Sequence, residues 1–415
     1  MEGCCNVKGN RTSRNDREVK DAQVPERMDE AIFLKRPNRF TLVCRLRGKV
    51  VRAYLPNPGR MWELLLPGTT VYLETNPAAG DKMPYTAVAV EKEGQPVMVH
   101  THRTNDLAND LIQRNLVPGL EGVEVTRREI KRGRSRFDFL LRRGKEEIFL
   151  EVKSCTLFGK KLAMFPDAPT ARGKRHVEEL VSLSEEGFSG IVLFLVFSPR
   201  ARFFMPEYHT DLEFTRTLLA AREKISILPL AVQLRADLSL TPRVRVLEVP
   251  WEIVEKEARD SGSYILILRV RENSTISIGG LGEVKFRKGY YLYVGSARRN
   301  LSSRLERHRR RRKRLFWHVD FLRAAAEFHF ALPFRTQDIL ECSIARAVSE
   351  IAQWKIPGFG CSDCLCSSHL YGMAKDPLQS AAFISLLQYY RMDRLKLNHS
   401  GIEGLKDCGI GRLRD

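Results

Sequence analysis

The chain has 415 residues, 43% of them hydrophobic, and carries 69 Lys and Arg against 50 Asp and Glu, a formal charge of +19. This length and apolar content indicate roughly two to four domains with packed cores, and they exclude an intrinsically disordered or collagen-like protein. A basic excess of this size most often reflects a polyanionic partner, with nucleic acid ahead of an acidic membrane or an acidic protein.

The distribution of apolar residues and cysteines excludes a membrane-spanning protein and a secreted protein held by disulfides. The longest candidate for a membrane span, Ile191–Phe197, is far shorter than the ~18 apolar residues required, and the polar N-terminal residues lack a secretory signal. Nine cysteines, an odd number that includes the neighbours Cys4 and Cys5, do not make a disulfide framework. We therefore expect a cytoplasmic protein that does not associate with membranes.

The N-terminal part of the chain predicts one small β module. Residues 1–27 lack apolar periodicity and are interpreted as a disordered leader. Residues 28–104 contain short strands separated by Gly and Pro about every eight to twelve residues, which indicates an all-β sandwich or barrel. A helix over residues 105–116 follows, with Asn105 or Asp106 as its cap.

Residues 105–235 predict a mixed α/β domain. Three strands, in VEVTRREI, RFDFLL and EEIFLEVKS, precede a basic helix over residues 170–186, the apolar strand IVLFLVFS and a helix over residues 211–224. An uninterrupted apolar strand between helices indicates a central sheet that is covered on both faces. Residues 236–260 contain two prolines and a charged stretch, which predict a partly helical linker.

The C-terminal blocks differ mainly in their charge. Residues 261–373 hold 19 Lys and Arg against 9 Asp and Glu, so about half of the chain's excess lies in about a quarter of its length. This block opens with the strand SYILILRV, whereas residues 374–415 are interpreted as a partly amphipathic C-terminal tail. The concentration of charge predicts that the third block holds a polyanion-binding surface.

Two carboxylates occur on consecutive predicted strands of the α/β domain. Asp138 lies in SRFDFLL and Glu151 in FLEVKS, where strand alternation places Glu151 and Lys153 on one face. Such a pair can hold Mg²⁺ or Mn²⁺, and the lysine can orient or deprotonate a water aimed at a phosphodiester. The same spacing also arises by chance, but apolar neighbours indicate burial, and buried carboxylates need a metal or Lys153 to offset their charge. Glu129, on the preceding strand, offers a further carboxylate.

Residues 30 to about 235 resemble the sugar fermentation stimulation protein family. The resemblance is carried by FLKRPNRF, by LPNPGRM with ELLLPG, by the SRFDFLL and EVKS pair, and by FPDAPTARGKRHVEEL. It implies an OB-like β-barrel followed by a domain of the PD-(D/E)XK nuclease type, in a family noted for DNA binding. On the matching positions, Asp138, Glu151 and Lys153 would form the catalytic core, and Asp138 and Glu151 would hold Mg²⁺.

Other matching positions extend this site. Arg172, Lys174 and His176, after FPDAPT, would face the same cleft and contact nucleic acid, although Lys174 and His176 equally fit ordinary exposed helix positions. In the barrel motif, Arg60 can reach a phosphate, while Gly59 can simply permit a turn.

The third block carries tyrosine-rich strand motifs. Residues 262–264 (GSY) open one strand, and residues 291–295 (YLYVG) lie on a second. A following helix places Arg304 and His308 on one face. A phenol can position or activate a water, an arginine stabilises charge on phosphoryl oxygens and a glutamate binds a metal, so these residue types suit phosphodiester cleavage.

This block, residues 261–373, resembles the GIY-YIG nuclease superfamily, with GSY and YVG in place of the two name motifs. The resemblance implies active-site positions for Tyr264, Tyr293, Arg304, His308 and Glu341, the last as a Mg²⁺ ligand. Tyr291 lies in the same motif as Tyr293, and either phenol can face the site. Strand tyrosines are also common in cores. The sequences WHVDFL, GFG and SDCLCSSHL resemble one uncharacterised branch of the superfamily, so the fold and the activity are separate expectations.

A run of positive charge follows the second tyrosine motif. It comprises Arg307, Arg309, Arg310, Arg311, Arg312, Lys313 and Arg314. The run is predicted to continue the helix that starts near Asn300. These side chains suit a phosphate backbone, so binding would depend strongly on salt and carry little sequence information. The predicted partner is nucleic acid, DNA ahead of RNA, and the alternative is a solvated basic face.

A cysteine-rich motif lies near the end of the third block. Its members with metal-ligand character are Cys361, Cys364, Cys366 and His369. Thiolates and an imidazole at this spacing are typical of structural Zn²⁺. The spacing is too tight for all four to coordinate comfortably, so Cys342, His318 or His329 would have to contribute from a distance. The alternative is a tight turn closed by local hydrogen bonds.

Together these features predict an α/β protein with a small all-β module: an OB-like barrel, a PD-(D/E)XK-like mixed-sheet domain and a GIY-YIG-like α/β domain. The predicted function is Mg²⁺-dependent cleavage of DNA or RNA, better supported at Asp138, Glu151 and Lys153 than in the third block. The alternative is a non-catalytic DNA-binding or regulatory protein that uses nuclease folds as binding platforms.

Overall fold

Three main β-sheets follow one another along the chain in the computed structural model, which describes residues 28–76 and 83–397. The predicted leader and the end of the predicted tail, residues 398–415, lie outside the described residues. Within the described ranges, none of the helices combines the length and the apolar composition that a bilayer span requires. Below, the first module is residues 28–99, the second is residues 100–260 and the third is residues 261–397.

The first module is a closed β-barrel. Its strands are β1 (Asp29–Asn38), β2 (Thr41–Leu46), β3 (Lys49–Tyr54), β4 (Thr70–Thr75), β5 (Tyr85–Lys92) and β6 (Gln95–Met98). Antiparallel pairs join most neighbours, and the parallel pairing of β3 with β5 closes the first five strands into a barrel. Alternate side chains such as Phe33, Leu42 and Ala53 fill the interior. The predicted OB-like barrel is confirmed.

Gly59, in the loop after β3, lies where the barrel meets the second module. A Cβ atom at this position would stand 2.6 Å from Asp167 Oδ2, and that oxygen accepts a hydrogen bond from the Met61 amide at 3.0 Å. The backbone at Gly59 does not adopt the left-handed conformation. The glycine thus allows a close approach between modules, in addition to the turn in which its amide donates to Asn57 Oδ1 at 2.9 Å.

The second module is built on a mixed six-stranded sheet. Its elements are α1 (Thr101–Gln113), β7 (Glu124–Arg132), β8 (Ser135–Arg143), β9 (Glu146–Cys155), β10 (Leu157–Phe158), β11 (Leu162–Phe165), α2 (Ala171–Glu185), β12 (Ser189–Val196), β13 (Phe203–Pro206), α3 (Leu212–Ala221), β14 (Ser226–Leu234), β15 (Leu240–Val246) and α4 (Trp251–Glu257). The strand order is β15-β14-β12-β9-β8-β7, with β9, β12 and β14 parallel. All of β12 after its first residue is buried, as expected for a sheet covered on both faces.

Two elements of this module differ from their predictions. Helix α1 begins at Thr101 rather than at residue 105, because His100 Nδ1 caps it by accepting from the Arg103 amide at 3.4 Å. Asn105 is therefore inside the helix. Residues 236–260, predicted to be a linker, contain the edge strand β15 as well as the helix α4. The linker prediction recognised the helical part and missed the strand.

The third module has an antiparallel sheet of order β20-β16-β19-β22-β21. Its elements are β16 (Gly262–Val270), β17 (Ser274–Ser277), β18 (Glu283–Phe286), β19 (Gly289–Ala297), α5 (Leu301–Arg309), α6 (His318–Ala325), β20 (Glu327–Arg335), α7 (Glu341–Ile351), β21 (Trp354–Lys355), β22 (Leu370–Met373) and α8 (Ala381–Gln388). The two tyrosine motifs lie on β16 and β19, which pair directly, with Tyr264 opposite Gly295.

The third module packs against both others through apolar as well as polar contacts. His209, fully buried, accepts from the Arg335 amide at 2.8 Å, and its other ring nitrogen lies 3.1 Å from the Arg391 carbonyl oxygen. Arg394 pairs with Glu257 of the second module at 3.0 Å. Residues of the predicted tail therefore contribute to this contact. The helix α8 and the following π-helical turn, Tyr389–Asp393, pack on the core of the third module.

Candidate functional sites

Asp138 and Glu151 lie side by side on the paired strands β8 and β9. Asp138 Oδ2 accepts from the Val152 amide at 2.7 Å, and Asp138 Oδ1 accepts from Asn105 Nδ2, on α1, at 2.7 Å. These two donors fix the orientation of the half-buried carboxylate. The helix α1 therefore supplies a site residue that the sequence indicated only as a helix cap.

Glu151 is buried and is held from one side only. Its Oε1 atom contacts the ammonium of Lys153 and lies 2.5 Å from His176 Nδ1. Its Oε2 atom is buried and has no hydrogen-bond partner in the part of the chain that the structure describes. A buried carboxylate oxygen without a donor is costly unless a cation or a ligand approaches it.

The two carboxyl groups respond differently to their surroundings. Burial, followed by the charge of Glu151, raises the pKa of Asp138 to about 7. Burial also acts to raise the pKa of Glu151, but the Lys153 ammonium and the hydrogen bond from His176 outweigh it and lower that pKa. Close to neutral pH, Glu151 is ionised and Asp138 stands near its titration midpoint.

The residues present fit a hard divalent cation. Oxygen ligands from a few carboxylates are what Mg²⁺ and Ca²⁺ prefer, and each carboxylate offers about four lone-pair sites. The donors on Asp138 leave it further lone pairs, and Glu151 Oε2 is unused. Asp138 and Glu151 are thus the residues that would hold the cation, with Lys153 beside them.

The other residues predicted for this site divide into two groups. His176 is buried against Glu151, and Arg172 Nε lies 3.3 Å from His176 Nε2, so both belong to the centre. Lys174 instead approaches Glu178 at 3.9 Å and Glu213 at 3.5 Å. Lys174 is therefore an ordinary residue of the helix surface, whereas His176 is not.

A cleft of about 1290 Å³ contains this centre and has walls from all three modules. Its cationic lining residues are Arg36, Arg39, Arg60, Arg136, Lys153 and Arg172, and its carboxylates are Glu129, Asp138, Glu151 and Asp167. The guanidinium of Arg60 lies 5.1 Å from the Trp62 ring centre and 4.8 Å from that of Phe330 in the third module. The cleft is wide and polar, which suits a charged, extended ligand.

The tyrosine site of the third module is assembled but enclosed. Tyr264 Oη lies 3.0 Å from His308 Nε2, and the rings of Tyr264 and Tyr293 are 6.3 Å apart. Tyr264 is 2% exposed and Tyr293 7% exposed. Of the two tyrosines in the second motif, Tyr293 is the one near Tyr264. The hydroxyl of Tyr291 instead donates to the Arg287 carbonyl oxygen at 3.0 Å. Burial is the main cause that raises the pKa of Tyr264.

The remaining two residues of that site are tied to the backbone or to neighbouring side chains. Arg304 Nη1 donates to the Ser296 carbonyl oxygen at 3.0 Å, and its guanidinium lies 4.7 Å from the Trp317 ring centre. Glu341 Oε2 accepts from the Ser296 hydroxyl, and Glu341 Oε1 lies 3.1 Å from His369 Nδ1. The five predicted residues therefore lie in one region, with Glu341 linked to the cysteine-rich motif.

The basic run wraps around one buried carboxylate. The helix α5 ends at Arg309, and Arg310 is extended, so the prediction of a continuous helix was wrong. Asp320, fully buried in α6, pairs with Arg307 at 2.8 Å and with Lys313 at 2.7 Å, and it accepts from the amides of residues 316 and 317. Two cations of the run thus share one buried carboxylate.

Three arginines of the same run are left for solvent or a ligand. Arg310, Arg312 and Arg314 are exposed, and their side chains have no partner within residues 28–76 and 83–397. Arg309 lies 3.7 Å from Glu306, and Arg311 donates to the Ala324 carbonyl oxygen at 3.1 Å. Only part of the predicted basic surface is therefore free to meet phosphates.

The cysteine-rich motif forms a cluster with a different membership from the predicted one. The ligand atoms of Cys342, Cys364, Cys366 and His369 all lie within 4.8 Å of one another. Cys361 is not in this cluster. It begins the turn, and its carbonyl oxygen accepts from the Cys364 amide at 3.5 Å. Cys342, on α7, takes the place that the sequence left for a distant residue.

Three family models match consecutive parts of the chain. The SfsA N-terminal OB domain matches residues 34–99, the sugar fermentation stimulation protein RE domain matches residues 102–237, and a domain of unknown function, DUF123, matches residues 263–391. The third module therefore belongs to a domain family whose description assigns no activity.

The relatives match the first two modules. The sugar fermentation stimulation protein homolog of Methanothermobacter thermautotrophicus is 40% identical over 222 residues, 53% of this chain and 92% of that protein. That of Moorella thermoacetica is 38% identical over 201 residues, covering 48% and 87%. The solved structure of Pyrococcus furiosus SfsA in complex with Ca²⁺ is 31% identical with a TM-score of 0.50, covering 54% and 96%. Because most of each relative is matched, the chain belongs to the sugar fermentation stimulation protein family, with a further domain added after the shared part.

Proposed function

We propose that this protein binds nucleic acid, DNA ahead of RNA, and cleaves it with a divalent cation in the cleft of Asp138, Glu151 and Lys153. The observation that carries the proposal is the buried Oε2 atom of Glu151, which has no partner among the described residues and lies in a cleft beside a second carboxylate. The Ca²⁺ in the solved Pyrococcus furiosus relative supports a site for a hard cation. Mg²⁺ or Mn²⁺ at this site is part of the proposal.

Each residue of the centre has a defined task in this proposal. A divalent cation held by Asp138 and Glu151 would supply Lewis-acid polarisation of a phosphoryl oxygen. Lys153 lines the cleft. Its ammonium group donates a hydrogen bond to the phosphoryl oxygens, where negative charge develops, or orients the attacking water. His176 keeps Glu151 in place, and Asn105 does the same for Asp138.

Phosphate-backbone binding is shared between the cleft arginines and the exposed arginines of the third module. Arg310, Arg312 and Arg314 carry charges that no described residue neutralises, and each phosphate contact releases counterions. Catalysis at Tyr264, Tyr293, Arg304, His308 and Glu341 is the weaker candidate, because both phenols are nearly inaccessible. We therefore assign binding to the third module and cleavage to the second.

The proposal is tested by incubating the purified protein with labelled duplex, single-stranded and branched DNA and with RNA. Cleavage is expected with Mg²⁺ or Mn²⁺, and none with EDTA. Binding measured with Ca²⁺ or EDTA is expected to weaken steeply as salt is raised. Salt-dependent binding without cleavage on every substrate and metal would favour the alternative of a nuclease fold that only binds.

The affinity of the centre for a divalent cation is expected to depend on pH. A proton on Asp138 competes with the cation, and the pKa of Asp138 is raised to about 7 by burial and by Glu151. The apparent Ca²⁺ affinity should thus rise about tenfold for each pH unit below about 7 and level off above it. Calorimetric titration at pH 6, 7 and 8 measures this. The Asp138→Asn variant should bind more weakly without that slope, whereas equal affinities at all three pH values in the unmodified protein would contradict the assignment.

A further inference from the structure

The cluster of Cys342, Cys364, Cys366 and His369 lies outside the cleft and has its own chemistry. Cys342 comes from the first turn of α7, and the other three residues come from the segment that leads into β22. The three cysteines are free thiols, and the imidazole of His369 is fully buried. Three sulfur atoms and one nitrogen from two separate elements thus converge on one point.

The four ligand atoms lie close enough together to form a tetrahedral metal site after small movements. A zinc ion with bonds of about 2.3 Å to sulfur and about 2.0 to 2.1 Å to nitrogen requires S···S distances near 3.8 Å and S···N distances near 3.6 Å. Cys364 Sγ already lies 3.5 Å from His369 Nε2. The other ligand atoms, all within 4.8 Å of one another, need movements of about 1 Å or less.

The histidine is oriented by a carboxylate on its far side. His369 Nδ1 lies 3.1 Å from Glu341 Oε1, which leaves Nε2 directed at the sulfur atoms. A ligating histidine almost always donates its other nitrogen to a carboxylate or carbonyl, and this contact fixes its tautomer. Glu341 is itself held by the Ser296 hydroxyl. The chain of contacts is the one expected around a bound metal.

The loop that carries the cysteines is held mainly by hydrogen bonds, with few apolar contacts of its own. Leu365, between two of the ligands, is completely exposed, and Ser362, Asp363 and Ser367 are exposed as well. Segments with few buried apolar contacts open most easily, so a cross-link to a neighbouring element would stabilise this one. A metal bound to both the loop and α7 would provide that link.

We propose that Cys342, Cys364, Cys366 and His369 bind one Zn²⁺ ion, and that Glu341 acts as a positioning residue for His369. Three thiolates and one imidazole in a closed tetrahedral arrangement select zinc among the common divalent ions and leave no open position for a substrate. The site is therefore structural. It joins α7 to the loop before β22 and fixes the carboxylate of Glu341 next to the tyrosine site.

The test is metal analysis of the full chain purified under reducing conditions, together with cysteine variants. The expected content is one zinc per chain, lost in Cys342→Ser and retained in Cys361→Ser. Cys361 is the matched control because it belongs to the same motif and lies outside the cluster. Equal loss of zinc in both variants, or full retention in Cys342→Ser, would overturn the proposal.

Two measurements keep the test valid if a variant fails to fold. Cobalt exchanged into the unmodified protein should show sulfur-to-cobalt charge transfer and the strong visible bands of a tetrahedral site. In competition with a chromophoric chelator, Glu341→Gln should retain zinc with about ten- to hundredfold lower affinity. An octahedral cobalt spectrum, a native disulfide between two cluster cysteines, or an unchanged affinity in Glu341→Gln would contradict the assignment.

Discussion

Replacing Glu151 with glutamine is expected to reduce divalent-dependent cleavage by at least about 10²- to 10³-fold. Glutamine keeps the shape of the side chain but removes the negative charge that attracts both Lys153 and a cation. The Oε2 position, which has no donor among the described residues, would become a neutral amide atom. Single-turnover cleavage with Mg²⁺, measured on the best substrate of the wild-type protein, gives the size of the loss.

A neighbouring carboxylate on the same strand provides the control for this change. Glu147 lies on β9 but is exposed and outside the cleft, so Glu147→Gln should cleave at the wild-type rate. Binding measured without divalent ions should be nearly equal in both variants, because the cleft arginines are unchanged. If Glu151→Gln still cleaves within about threefold of wild type, catalysis does not take place at this centre.

The Asp320→Asn substitution is expected to destabilise the third module by about 3–5 kcal/mol. Asp320 is fully buried and receives the charges of Arg307 and Lys313, and Lys313 itself is only 6% exposed. An amide in this position leaves two cations without a counter-charge and cannot accept all the present hydrogen bonds. Urea unfolding followed by intrinsic fluorescence of the tryptophans would measure the loss.

The pH dependence of the same interaction has a defined sign. Burial acts to raise the pKa of Asp320, but His308, whose Nδ1 lies 3.7 Å from Asp320 Oδ1, and the contacts with Arg307 and Lys313 outweigh it and hold the pKa far below its ordinary value. The stabilisation is therefore complete above the ordinary pKa of an aspartate and is lost as pH falls below it. Asp320→Asn should lack this acid-sensitive part.

Glu306, a carboxylate next to the basic run, serves as the control for Asp320. Glu306 is exposed on α5 and lies 3.7 Å from Arg309, so Glu306→Gln should change stability by less than about 1 kcal/mol. A loss in Asp320→Asn no larger than in Glu306→Gln would mean that the basic segment does not depend on Asp320 for its position.

The proximity of Asp138, Glu151 and Lys153 could be predicted from the sequence, because it depends only on strand alternation and on the pairing of neighbouring strands. Strand alternation alone places Glu151 and Lys153 together, and the preceding strand, β8, brings Asp138 beside them. The role of Asn105 depends on where α1 begins, and His100, a less common cap than Ser, Thr, Asp or Asn, sets that boundary. Because α1 begins four residues earlier than predicted, Asn105 lies inside the helix, where its side chain reaches Asp138.

The third module shows the limit of such reasoning more clearly. The basic run predicts a long helix. In the structure, Arg307 and Lys313 both pair with the buried Asp320, which follows the run in the chain, and the helix ends at Arg309. Spacing alone likewise groups Cys361 with its neighbours, whereas tertiary packing selects Cys342. In both cases the deciding residue lies on another element, and periodicity carries no information about that contact.

The packing of Trp62 against Phe330, with ring centres 4.8 Å apart, joins the barrel to the third module at the rim of the cleft. The matched relatives are covered almost completely by the first two modules of this chain. Phe330 instead lies in the part of the chain that the DUF123 model matches. Under the proposed function, contact of a ligand with Phe330 would depend on the third module, whereas the centre of Asp138 and Glu151 lies wholly in the second.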